Sequence, residues 1–456
     1  MNRPANPRSP FYIVLGTVLV LATLSQFKSE IDIGGFSTKS INIFSEIQAK
    51  EIPKKIPDTL NLAADSLKDT ATIVEVEDSM GIYDFSKGDI GAMERFFSAL
   101  AKAKAENGKV RVAYFGDSMI EGDLMTQDLR DTLQKLFCGR GVGFVPITSI
   151  VAGFRKTITH SFSDSWNSWN LTDAVNKQHP LGLSGYSYSA SSGNKVTYKA
   201  TKYSYLLNSF DHVKLYYGRT DSSAKLKVAL DDSLVEMPMY GENAVNELLL
   251  NNSQRVNSVS LNFHCPDSVN IFGASFESNV GVYVDNYSFR GNSGLALTKI
   301  PPSVFRGFDK YFNYDLIVLH YGLNVVSHAA KDYSWYERGL DKLLDYMRNV
   351  YPNASILVVS VNDKSWHSPD GWQTEPNIPV LVDIQKKAAE KKGVAFWNLY
   401  LAMGGENSMV HWVEGDTTLA NKDYTHPNYK GARKISNLLI QALMKKYEAY
   451  EKKNKI

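Results

Sequence analysis

The feature that most constrains this chain is an alternation of short apolar runs with helical periods. Val110–Phe115, Tyr314–Tyr321 and Ser355–Val361 are runs of the length and composition enclosed on both faces of a parallel sheet, and Val394–Trp397 adds a last, shorter one. Between and after them, Leu124–Phe137, Tyr336–Val350, Pro379–Lys391 and Tyr429–Tyr450 show helical spacing. A further helix is expected over Ala92–Ala105, where Met93, Phe96, Phe97, Leu100 and Ala101 share one face. Strands alternating with helices predict an α/β domain on a parallel sheet.

Residues 155–280 break that rhythm. Lys195–Tyr198, Val213–Tyr217, Lys225–Leu230 and Val259–Phe263 alternate apolar with polar residues and are separated by Asn, Asp, Ser and Gly clusters. We expect an all-β module, a sandwich, inserted into an α/β domain made of residues 89–154 and 281–456. At 456 residues the chain has room for both.

The N-terminus carries a compartment signal. Arg3 and Arg8 precede an uncharged run over residues 11–27, followed by Lys28, Glu30 and Asp32. This pattern predicts a signal anchor or signal peptide over residues 1–27, with the rest of the chain across the membrane. With no small-x-small site after the apolar core, an uncleaved anchor is the expectation and cleavage the alternative. Residues 28–88, interrupted by Pro53 and Pro57, are expected to be a spacer.

Lys plus Arg number 50 against 48 Asp plus Glu, so no basic footprint for nucleic acid exists. Cys138 and Cys265 could form one disulfide or remain free thiols, and the spacing of Cys and His predicts no metal site. His320 and His328 are expected to be structural or surface residues.

The chemistry is expected where Gly116-Asp117-Ser118 follows the first apolar run. A serine on the turn after a buried strand stands at the carboxyl edge of the sheet, where open α/β folds bind ligands. The plainer alternative is a helix N-cap. Serine needs a base, and the base an orienting acceptor; Asp423 and His426, three residues apart before the last helix, can supply both. Gly291 and Asn324 follow strand ends and could donate, with the Ser118 N–H, to an oxyanion. A turn glycine and an Asx turn are their alternatives.

These four elements, in this order, resemble the blocks of the SGNH, or GDSL, hydrolase superfamily. The resemblance covers about residues 90–150 and 280–450. It implies a flavodoxin-like three-layer α/β/α fold without cofactor or metal, with Ser118 as nucleophile, His426 as base, Asp423 as its partner, and Ser118, Gly291 and Asn324 as oxyanion donors. The segments Phe272–Glu277 and Gly281–Asp285, with a β module after the first block, are similar to periplasmic peptidoglycan O-acetylesterases. Met119 stands where many of those relatives have His, and Leu323 replaces their commoner Thr. The resemblance implies an acetylated glycan as substrate, action in the periplasm or cell envelope, and an inserted module that resembles a carbohydrate-binding fold. Trp166 and Trp169 are the candidate sugar contacts, with core packing as the alternative. Acetyl transfer by the same triad, or glycan binding without catalysis, are the competing readings.

Overall fold

The computed structural model describes residues 32–33, 36–37 and 81–455, apart from 89, 174–178, 222 and 252–253. The uncharged run at 11–27 and most of the expected spacer lie outside the described residues. Asp32–Ile33 pairs antiparallel with Phe36–Ser37. Among the described residues no helix is long and apolar enough to cross a membrane.

Five parallel strands form the central sheet: β1 (Lys109–Gly116), β2 (Gly281–Ser288), β3 (Leu316–His320), β4 (Ser355–Val359) and β5 (Ala395–Trp397). Their spatial order is 2-1-3-4-5, the flavodoxin-like winding. Ile82–Asp84 adds an antiparallel strand outside β5. All of β3 and β4 and seven of the eight β1 residues are buried, as strands covered on both faces require.

Helices α1 (Glu94–Glu106), α2 (Thr126–Phe137) and α6 (Tyr429–Asn454) cover one face; α3 (Pro302–Phe312), α4 (Ser334–Val350) and α5 (Asn377–Lys392) cover the other. Each buries one apolar stripe. In α3 it is Val304, Phe305, Phe308 and Phe312, behind a Pro at the first helical position that loses no hydrogen bond there. At the start of α6, Asn428 accepts from the Lys430 and Gly431 N–H groups.

Between α2 and β2 the chain builds two antiparallel sheets packed face to face. One holds Asn246–Leu249, His212–Tyr217, Val269–Glu277, Tyr186–Ala190 and Asn167–Asn170; the other holds Ser233–Pro238, Lys225–Leu230, Ser258–His264, Lys195–Lys199 and Thr159–Phe162. The expected sandwich is present, but its first strand, Gly143–Val145, precedes residue 155 and pairs with Val269–Glu277. Three residues are too few to show an alternating pattern.

The central strands of the first sheet are buried on both sides, while its edge strand Asn167–Asn170 is exposed. The outer face of that sheet sends Phe144, Tyr216 and Phe272 into the α/β core, with rings 5.2 Å from Tyr287, 4.7 Å from Phe312 and 5.4 Å from Phe308. A buried ionic cluster sits at the same junction. Arg111 on β1 donates to Asp285 on β2 (2.6 Å), to Ser275 (2.8 Å) and to Glu277, and Lys109 and Lys214 also reach Glu277. The two sulfur groups are not joined: Cys138 and Cys265 are free thiols.

Candidate active site

β1 ends at Gly116, where a Cβ would come within 2.9 Å of the Ile120 side chain and 3.2 Å of the His320 carbonyl. Glycine therefore lets the chain turn tightly at the β1–β3 boundary, the point where strand order reverses. A short 3-10 turn, Ser118–Asp123, follows. Its cap is Asp117, whose Oδ1 accepts from the Met119 N–H at 3.0 Å, so Ser118 is not the capping residue.

Ser118 Oγ lies 2.9 Å from His426 Nε2, and His426 Nδ1 lies 2.8 Å from Asp423 Oδ2. The other Asp423 oxygen accepts from the Thr425 and His426 N–H groups, each at 3.0 Å. Burial alone would raise the Asp423 carboxyl; the His426 amide and ring and the Thr425 amide outweigh it and hold the group below the usual carboxylate range. The acid thus stays ionised beside an imidazole facing the serine.

Gly291 occupies a left-handed turn (φ 73°) after β2, and Asn324 follows β3. Both protons of the Asn324 amide are engaged, donating to Asp117 Oδ2 at 2.9 Å and to the Asn292 carbonyl at 3.1 Å. Asp117 is a functional contact that motif reasoning missed. It is 1 % exposed, and desolvation raises its carboxyl to about 6, against the opposing pull of the Met119 amide, the His426 charge and the Asn324 amide. Its aspartate-plus-two pattern, read as a cap, was the available signal.

The backbone past Ser118 is strained. Asp123 and Met125 both have positive φ, 71° and 62°. Five donors on the Asp123 carboxylate hold that shape: two from Arg130 (2.8 Å each), Thr126 (2.6 Å), Thr157 (2.6 Å) and Arg155 (3.2 Å). Thr157 and Arg155 come from the chain leading into the sandwich, so the turn after Ser118 and the inserted module share one anchor.

A cleft of about 570 Å³ opens over Ser118, His426 and Asp423, walled by Ile150, Val151 and Phe154. Phe154 stacks on Tyr429 (4.8 Å), whose hydroxyl donates to the Phe154 carbonyl at 2.6 Å. Trp166 and Trp169 do not line this cleft. Trp166 packs edge-on to Phe263 in the sandwich core, and Trp169 stacks on His179 at 3.6 Å. His320 is buried, its ring lowered to about 3 by desolvation, with Nδ1 3.2 Å from the Tyr114 hydroxyl; His328 lies against Glu375. Neither reaches the cleft. Among the described residues no cluster of His, Cys, Asp and Glu could hold a metal ion.

Residues 258–434 match the model of the GDSL-like lipase/acylhydrolase family, and the fold superposes on a solved peptidoglycan O-acetylesterase with a TM-score of 0.66, at 20 % identity over 81 % of this chain and 99 % of that one. Over residues 258–434, which hold Gly291, Asn324, Asp423 and His426, the chain is thus similar to the GDSL-like hydrolases. Lower-scoring structural matches include a family two carbohydrate esterase from Cellvibrio japonicus (TM-score 0.26, 8 % identity, 61 % of this chain and 98 % of that one). A salicylyl-acyltransferase from a tetracycline biosynthetic pathway also matches (0.29, 14 %, 66 % and 96 %). No curated protein matches the chain in sequence.

Proposed function

We propose that this SGNH esterase removes O-acetyl groups from an extracytoplasmic glycan, with peptidoglycan as the substrate, through an acetyl-Ser118 intermediate. The observation that carries this reading is the chain of short contacts from Ser118 Oγ through His426 to Asp423. In the proposed reaction His426 Nε2 takes the Ser118 proton as Oγ attacks the acetyl carbon, and the imidazolium formed is stabilised by Asp423. The same proton then passes to the leaving sugar oxygen. Water, activated by the now neutral His426, releases acetate and restores Ser118.

The tetrahedral oxygen is received by the Ser118 N–H, a Gly291 N–H and the Asn324 amide, which exchanges its Asn292 carbonyl contact for the oxyanion. Asp117 keeps the other amide proton and fixes the side chain. Hydrolysis rather than transfer is supported by the openness of the base: the His426 side chain is 33 % exposed, so water reaches it. Peptidoglycan is supported by the similarity to a peptidoglycan O-acetylesterase, and an envelope location, anchored by residues 11–27, by the basic and uncharged N-terminal sequence.

Acetate release from O-acetylated peptidoglycan and from 4-nitrophenyl acetate tests the reading, with Ser118→Ala as control. Loss of release in the variant is the expected result. Equal release by wild type and variant would sink the catalytic assignment, and faster transfer to a glycan acceptor than to water would replace esterase with transferase.

A further inference from the structure

Past β4 the chain leaves the central sheet for a separate two-stranded hairpin, Ser365–Ser368 paired with Gly371–Thr374. Two strands alone are marginal in water, so this hairpin needs other support. Its root supplies part of it. The buried Asp363 carboxylate accepts from the Thr374 hydroxyl (2.9 Å), the Met409 N–H (2.7 Å) and the Ser408 hydroxyl (3.2 Å). The rest comes from the two loops that carry the candidate site. Trp372 stacks on Tyr424 at 3.9 Å, with the ring planes 9° apart, and Trp366 packs against His328 at 4.0 Å. Tyr424 stands between Asp423 and His426, and His328 lies in the loop after β3 that holds Asn324.

Tyr424 is gripped by more than one stacked ring. Its N–H donates to the Asn421 carbonyl (3.1 Å), its carbonyl accepts from the Ser365 N–H (2.9 Å), and its hydroxyl donates to Glu414 (2.6 Å). The next carbonyl, of Thr425, accepts from the amide of the buried Asn362 at 3.2 Å. Together these contacts hold Tyr424 in a left-handed backbone, φ 51°, a conformation that an aromatic residue keeps only where its surroundings over-determine it. At that kink one Asp423 oxygen meets the Thr425 and His426 amides and the other meets His426 Nδ1. The cleft over Ser118 is lined by Asp423 and His426 but not by Tyr424, Trp366 or Trp372, so the aromatic stack acts on the site through the loop and not by touching a substrate.

We propose that this hairpin is a positioning clamp for the reaction, and that Trp372, through Tyr424, holds Asp423 and His426 in line with Ser118; the inference rests on the triad reading above. Trp372 is a positioning residue. Its leverage is geometric, since a misplacement of about 1 Å at a reacting group can cost about 100-fold in rate.

Trp372 is 37 % exposed, so its removal opens no core cavity. Trp372→Ala is expected to lower kcat on 4-nitrophenyl acetate at least tenfold with KM within twofold of the wild type, and Trp372→Phe, which keeps a ring for Tyr424, to recover kcat to within threefold. Hydrogen exchange over residues 421–428 should quicken at least tenfold in the alanine variant and return toward the wild-type rate in the phenylalanine one. Unchanged kcat in Trp372→Ala, a raised KM alone, or a loss of kcat without faster exchange in that loop overturns the clamp. So does an alanine variant that fails to fold, which would make the hairpin a folding element. A wild type inactive on the ester would count against the proposed chemistry, and the exchange comparison would still judge the clamp.

Discussion

At the carboxyl end of the sheet the His426–Asp423 pair stands in solvent, with side chains 33 % and 48 % exposed, whereas at the other end of β1 Arg111, Glu277 and Asp285 are at most 1 % exposed. Both groups join a carboxylate to a nitrogen donor through short hydrogen bonds. The exposed pair is screened and adds little to stability. The buried cluster has lost its water, so each member depends on the others and none can be removed without stranding a charge. Burial therefore separates ion pairs suited to chemistry from ion pairs that set geometry.

Removing the proposed nucleophile should break the comparison most visibly. Ser118→Ala is expected to lower kcat by about 10⁴-fold to 10⁶-fold while the urea midpoint stays unchanged, because a part-buried hydroxyl in the open cleft supports no packing. A lost midpoint would mean that the open end is structural too. Arg111→Met tests the closed end. It leaves Glu277 and Asp285 buried without their cation and should cost about 3–5 kcal/mol in urea unfolding; a cost below about 1 kcal/mol would show the cluster to be dispensable.

Asn324→Ala sharpens the contrast within the site, since the loss should appear in kcat rather than KM, by about 10²-fold to 10³-fold. A pure KM effect would assign Asn324 to substrate binding. The smallest expected effect belongs to Asp117, which is buried yet part of the open end. A carboxyl raised to about 6 in the fold, against 3.8 unfolded, binds its proton more tightly when folded. Its contribution to stability is full below pH 4 and is lost as pH rises through 6, by roughly 2–3 kcal/mol. Asp117→Asn should flatten that part of the stability profile, and urea midpoints at pH 4 to 7 that run parallel to the wild type would refute the shift.

The α/β strands and helices were legible in the sequence because full burial leaves long apolar runs and helices leave a 3.6-residue stripe. Helix α3 was overlooked although Pro302, Val304, Phe305, Phe308 and Phe312 carry both a start signal and a stripe. Ser118, Asp423 and His426 were legible as a set because a serine nucleophile needs a base and the base an acceptor, and their order matches the blocks of the family the chain resembles. What could not be read were partnerships across long separations. Nothing near Arg111 announces Glu277, and nothing near Asp123 announces Thr157. Trp166 and Trp169 mislead for a related reason, since an aromatic in an alternating strand has the same pattern whether it meets a sugar or a neighbouring ring.

The insertion point has a consequence for the order of events during folding. β1 and β2 are adjacent, paired in parallel from Lys109–Gly281 to Gly116–Ser288, yet lie about 170 residues apart in the chain. Closing so long a loop costs entropy that only a compact intervening segment reduces. The sandwich supplies that compaction, because its strand Val269–Glu277 leads within a few residues into β2. β2 is therefore expected to dock on β1 late, after the sandwich has formed, and pulse-labelling hydrogen exchange that protects β2 before the sandwich strands would overturn that order. Because Ser118 follows β1 while Asp423 and His426 stand just before the last helix, a chain synthesised from its N-terminus can bring the three together only once nearly all of it has been made.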